Sequence, residues 1–133
     1  MDPWDGWPFA RAYLLLVAIA FLVVGAQVYL FHLRAAFRAT SMYGPVLLAP
    51  VLVGAGVVGA VTREGPLGWL VLGVFAVGFL EGIIGTVLHL RGVSARIGGF
   101  TLRNLTAGPP PLLPLAFGAL GLTGALAVAW EAW

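Results

Sequence analysis

Apolar residues fill this chain in four nearly unbroken runs, near 11–32, 44–62, 67–90 and 111–131, with polar positions collected between them and at the ends. Each run is close to the ~20 residues that a helix needs to cross the hydrocarbon core of a bilayer. In that core every backbone N–H and C=O must be paired within its own segment, so runs of this length predict helices. The period-2 alternation of a membrane barrel is missing. The expected fold is all-α and integral to the membrane: a four-transmembrane-helix bundle forming one domain over 1–133, with the lipid bilayer as its first partner. Asp2 and Asp5 precede Arg11, and the first run exceeds the apolar core of a secretory signal, so a retained anchor is expected there.

Composition strengthens this picture. Hydrophobic residues make up 61% of the chain and charged ones 9%, against roughly 45–50% and about 25% in soluble proteins. Four spans leave no room for a separate soluble domain in 133 residues. The formal charge of +2 is scattered, which argues against nucleic acid as a partner. Cysteine is absent, which removes disulfides, thiolate metal sites, iron–sulfur clusters and covalently attached haem.

Every basic residue is an arginine, and their placement predicts the orientation. Arg34 and Arg38 lie in the first connection and Arg91, Arg96 and Arg103 around the third, whereas Arg11 and Arg63 belong to the other side. The positive-inside rule puts the first and third loops in the cytoplasm and both termini outside, in a bacterial or archaeal cytoplasmic (inner) membrane. Trp4, Trp7, Trp69, Trp130 and Trp133 all fall on the outer side, where amphipathic rings favour the headgroup zone.

The chain also resembles itself. Gly44-Pro45-x-x-Leu48-x-Pro50-x-x-x-Gly54-Ala55 matches Gly108-Pro109-x-x-Leu112-x-Pro114-x-x-x-Gly118-Ala119 without a gap. Gly25, seven residues before His32-Leu33-Arg34, likewise matches Gly82, seven before His89-Leu90-Arg91. The expectation is a duplicated helical hairpin, repeat one at about 10–62 and repeat two at about 67–132. Two copies of equal orientation form a parallel repeat, related by a pseudo-two-fold axis along the membrane normal. Pro45 and Pro109 mark helix starts, and Pro50 and Pro114 should tilt the spans that follow. The two positive helix ends near the arginines suggest an anion site, which lipid phosphate would fill.

The chain has two histidines, and the internal match puts His32 and His89 at equivalent depth on the cytoplasmic side. If the first and third spans are diagonal in the bundle, both imidazoles can address one object on its axis: haem b or a transition-metal ion. Gly82, Gly85 and His89 share one helix face, and Gly25 stands to His32 as Gly82 does to His89, as the walls of a cofactor slot would. Arg34 and Arg91 are then positioned for haem propionates. The competing structural reading has the histidines as interfacial groups and the glycines as helix-packing surface.

Glu81 falls near the middle of the third span, where an ionised carboxylate is costly, so it should be protonated, paired or turned toward a polar cavity. Its counterpart in the first half is Val24, with Gln27 the nearest polar residue; Glu81 and Gln27 are the residues expected to be buried and polar. No paired Glu-x-x-His motif, nucleophile elbow or other enzyme constellation occurs, so catalysis is not expected. In size and in its single span glutamate the chain resembles small multidrug transporters, but its repeat and its glutamate on the third span do not belong to that pattern. Single-haem membrane cytochromes are similar only in having two span histidines. The first functional expectation is a membrane protein binding haem or a metal ion through the histidine pair, in the service of electron transfer. The alternatives are a small proton- or cation-coupled transporter using Glu81, and an assembly subunit. The last would dock on a membrane-complex partner or form a homo-oligomer through Gly78/Gly82 and Ala55/Gly59.

Overall fold

The computed structural model describes residues 9–62 and 65–130, and among these every regular element is helical. Helix α1 spans Phe9–Arg34; a 3-10 turn at Thr40–Met42 leads into α2, Tyr43–Val61; α3 spans Gly65–Ile97; the short α4 spans Leu102–Ala107; and α5 spans Leu112–Trp130. Of these, α1, α2, α3 and α5 are long and apolar enough to cross a membrane. Trp4, Trp7, Trp133, Arg63, Glu64 and the acidic residues at 2, 5 and 131 lie outside the described residues.

The long helices form an antiparallel ring. Helices α1 and α2 pack on each other, as do α3 and α5; the pairs then join through α2 against α3 and α1 against α5. This leaves α1 and α3 across one diagonal and α2 and α5 across the other. Three phenylalanines meet at the centre: Phe21 lies edge-on to Phe117 with ring centres 5.0 Å apart, and stacks on Phe75 at 6.3 Å. All three are fully buried, with Leu14, Val17 and Leu52 around them. Outward positions are equally apolar, as at Leu16, Ile19, Leu22 and Val23 on α1. Helices hydrophobic on all sides suit a hydrocarbon surround.

Glycine sets how closely the helices approach. A Cβ on Gly25 would stand 2.6 Å from the Ala49 methyl, and one on Gly56 would stand 2.8 Å from both the Ala18 methyl and the Leu14 carbonyl oxygen. In the other pair, Gly82 lies directly on the Gly118 backbone and Gly121 on the backbone of Gly78 and Phe79. The small-residue faces expected to dock a partner are therefore consumed inside the bundle. Gly78 receives Leu52, Gly59 receives Val71 and Leu14, and Ala55 is buried.

The segments with matched sequence pack in different registers. Gly25 meets Ala49, whereas its match Gly82 meets Gly118, five positions beyond Leu113, the match of Ala49. The connections differ as well: 12 positions separate His32 from Gly44 and 19 separate His89 from Gly108. The extra length carries α3 two turns past His89 to Ile97, then turns through Gly98 and Gly99, whose φ angles are +99° and +113°. Thr101 caps α4 by accepting the Asn104 amide at 3.2 Å, and Asn104 Nδ2 donates to the Gly99 carbonyl at 3.0 Å.

These packing roles predict a contrast between two glycines of α3. Gly82→Ala forces a methyl onto the α5 backbone and should lower stability by about 1–3 kcal/mol. Gly73 is exposed with nothing near its missing side chain, so Gly73→Ala should be neutral or gain roughly 0.5–1 kcal/mol from helix propensity. Unfolding in detergent checks both, and equal effects would contradict the assigned contacts.

Candidate functional site

The arginine-bearing end of the bundle holds a cavity of about 540 Å³. It opens where α1 stops and α5 has not yet begun, so its upper wall is made of loop and proline segments. The floor is apolar and buried, formed by Val28 and Phe117. Exposed Arg34, Arg38 and Arg96 line its rim. His32 and His89 form facing walls, and Glu81 lies deeper. The phenylalanine cluster closes the bundle beneath.

The two imidazoles come together from diagonal helices, with ring centres 6.5 Å apart and planes at 70°. His89 is held by the segment that leads into helix α5. Pro110 precedes the helix, whose first i→i+4 bond runs from the Leu115 N–H to the Pro111 carbonyl, so the Pro110 carbonyl lies outside the intrahelical ladder. His89 Nδ1–H donates to this carbonyl at 2.8 Å. A carbonyl only accepts, so the proton of the neutral ring sits on Nδ1 and Nε2 keeps its lone pair.

His32 is positioned by the way α1 ends. Phe37 N–H donates to the His32 carbonyl at 3.0 Å and Ala36 N–H to that of Leu33 at 2.9 Å, a Schellman closure. Ala36 and Phe37 adopt left-handed φ values of +55° and +45°, which costs non-glycine residues about 1–2 kcal/mol each. Phe37 offsets this by stacking on Tyr43 at 4.6 Å, and its ring lies 6.1 Å from that of His32. The Met42 main chain lies beside the imidazole without meeting hydrogen-bond geometry, and His32 Nδ1 is buried with no hydrogen-bond partner among the described residues.

Glu81 is half-buried, and its carboxylate reaches the first turn of α2: Oε1 is 2.6 Å from where a Cβ on Gly44 would stand. Helix α2 has no side-chain cap, and a carboxylate is favourable at this positive end. The Glu81 carboxyl group thus lies beside the helix start at which an anion site was expected.

The other expected site residues divide. Arg34 lines the cavity, but Arg91 points away on the exposed side of α3, because two helical positions rotate it about 200° from His89. Arg96, seven positions after His89, returns to the cavity face; Arg38 enters from the loop, its Nε donating to the Ala35 carbonyl at 3.1 Å. Neither Arg38 nor Arg96 stands out in the sequence as a cavity residue, although the heptad spacing of Arg96 from His89 carries the signal. Gly82 and Gly85 border the cavity, yet their open faces are covered by Gly118 and Pro114 of α5. Gly25 faces Ala49 and lines no part of the cavity. Gln27 is exposed rather than buried: the inner stripe of α1 runs through Phe21, Gly25 and Val28, and Gln27 lies about 100° off Val28. Among the described residues no group of three or more His, Cys, Asp or Glu is arranged to hold a metal ion.

The natural chain has no cysteine, so single cysteines test the depth of this cavity directly. Glu81→Cys should be modified by a small charged thiol reagent, whereas Val71→Cys, buried beyond the phenylalanine cluster, should stay unreacted until the protein is unfolded. Equal protection of the two would contradict a cavity reaching Glu81.

Comparison of the chain with protein-family models, curated proteins and solved structures finds no match.

Proposed function

We propose that this is an integral membrane protein holding a transition-metal centre between His32 and His89, at the cytoplasmic end of a bundle derived from two like-oriented hairpins. The observation that carries this reading is the meeting of the chain's two histidines across one cavity, with rings 6.5 Å apart. The His89–Pro110 hydrogen bond supports it further, because orienting one ring nitrogen with a carbonyl is how proteins present the other to a metal. Water or a bound group completes the coordination, since the chain supplies two imidazoles here.

Membrane insertion is supported by the four long apolar helices and the apolar outer surface. The arginines at the cavity end favour a cytoplasmic cavity with both termini outside, and exposed Trp69 and Trp130 lie at the opposite end. Transport through Glu81 is the weaker reading: the glutamate borders the cavity, but a path across the bundle would have to pass the buried rings of Phe21, Phe75 and Phe117.

Protein purified from cells supplied with haem and iron should contain about one equivalent of transition metal by elemental analysis, which counts a bare ion and haem iron alike. His32→Ala and His89→Ala should each remove it while the chain still elutes as a folded species. A metal-free preparation, or retention of metal in both variants, would refute the proposal.

A further inference from the structure

We infer that the centre is carried in a planar amphiphilic macrocycle bearing two carboxylates, of the haem type, rather than as a bare ion. This rests on the reading of His32 and His89 as ligands and makes it specific.

Ligand count favours the macrocycle. A bare ion held by protein usually takes about four donors, yet the described residues present no group of three or more His, Cys, Asp or Glu suited to one. Two imidazoles are a full axial set for a metal whose equatorial positions are filled by a macrocycle.

Ring separation gives the same answer. With metal–nitrogen bonds of about 2.0–2.1 Å and about 1.2 Å from donor atom to ring centre, two imidazoles stand roughly 6.4 Å apart on opposite sides of a metal and about 5.2 Å apart at a tetrahedral angle. The observed 6.5 Å matches the axial arrangement.

The shape and polarity of the cavity identify the rest of the ligand. Its 540 Å³ falls in the range of pockets for whole organic ligands, whereas one water occupies only about 30 Å³ of liquid. Val28 and Phe117 give it an apolar floor; Arg34, Arg38 and Arg96 give it a basic rim. Guanidinium groups match carboxylates in a two-pronged geometry, so the acidic edge of the ligand faces the rim and its apolar body faces the floor.

Full-length protein expressed under haem limitation and purified in detergent is titrated with haemin, haemin dimethyl ester, and Zn²⁺, Ni²⁺ and Cu²⁺ separately. Haemin should bind at one equivalent with the low-spin spectrum of two nitrogen axial ligands, and His89→Gly should lose that spectrum and regain it with added imidazole. Arg38→Ala combined with Arg96→Ala should weaken haemin by about tenfold or more and leave the ester's affinity unchanged. If divalent ions bind stoichiometrically through the histidines and haemin does not, the macrocycle is refuted and the metal centre stands. If haemin binds equally well without either histidine, or if nothing binds, both readings fall. Equal loss of haemin and ester in the arginine variants would overturn the carboxylate assignment.

Discussion

The backbone contact between Gly82 and Gly118 is the constraint from which the rest of the structure follows. Two helices whose surfaces are apolar on every side gain little from burying one face rather than another when the surround is equally apolar. What selects a geometry is close packing. Glycine allows it where α3 crosses α5, and Gly25 with Ala49 allows it where α1 crosses α2. With these contacts set, the phenylalanines fill the centre and the helix ends at the arginine side stand around a cavity rather than a core.

The proline-rich start of α5 then turns a packing arrangement into an oriented chemical group. Pro114 lies under the missing side chain of Gly85, and Pro110, just ahead of the helix, offers its carbonyl to His89. One short segment thus contributes both a surface for α3 and the partner that fixes one ring nitrogen of His89. In the first hairpin a different device is used: two left-handed residues close α1, and Phe37 stacks beside His32. Similar sequence around the two histidines therefore leads to different local supports, which fits the different lengths of the connections.

Much of this was legible in the sequence, because uninterrupted apolar length is a strong signal and the helix positions follow from it. The pairing of His32 with His89 across a diagonal could also be read, from two rare residues falling in register. The seven extra residues of α3 were hidden, since Arg91 and Arg96 end the apolar run without ending the helix. The role of the glycines was ambiguous in principle: a stripe without side chains admits a helix or a ligand equally, and here α5 fills it at Gly82 and Gly85. Gln27 and Arg91 depart from the expected faces for one reason. Nearness in sequence is not nearness in space, because one or two helical positions carry a side chain off the inner face.

The proposed centre depends on the two imidazoles meeting within a single chain. The most direct measurement joins them: with His32→Cys and His89→Cys introduced together in this cysteine-free chain, a short bifunctional thiosulfonate is applied in native membrane and the product is read by mass. Efficient bridging within one chain is expected. Single-site modification without bridging, or bridges only between chains, would contradict it.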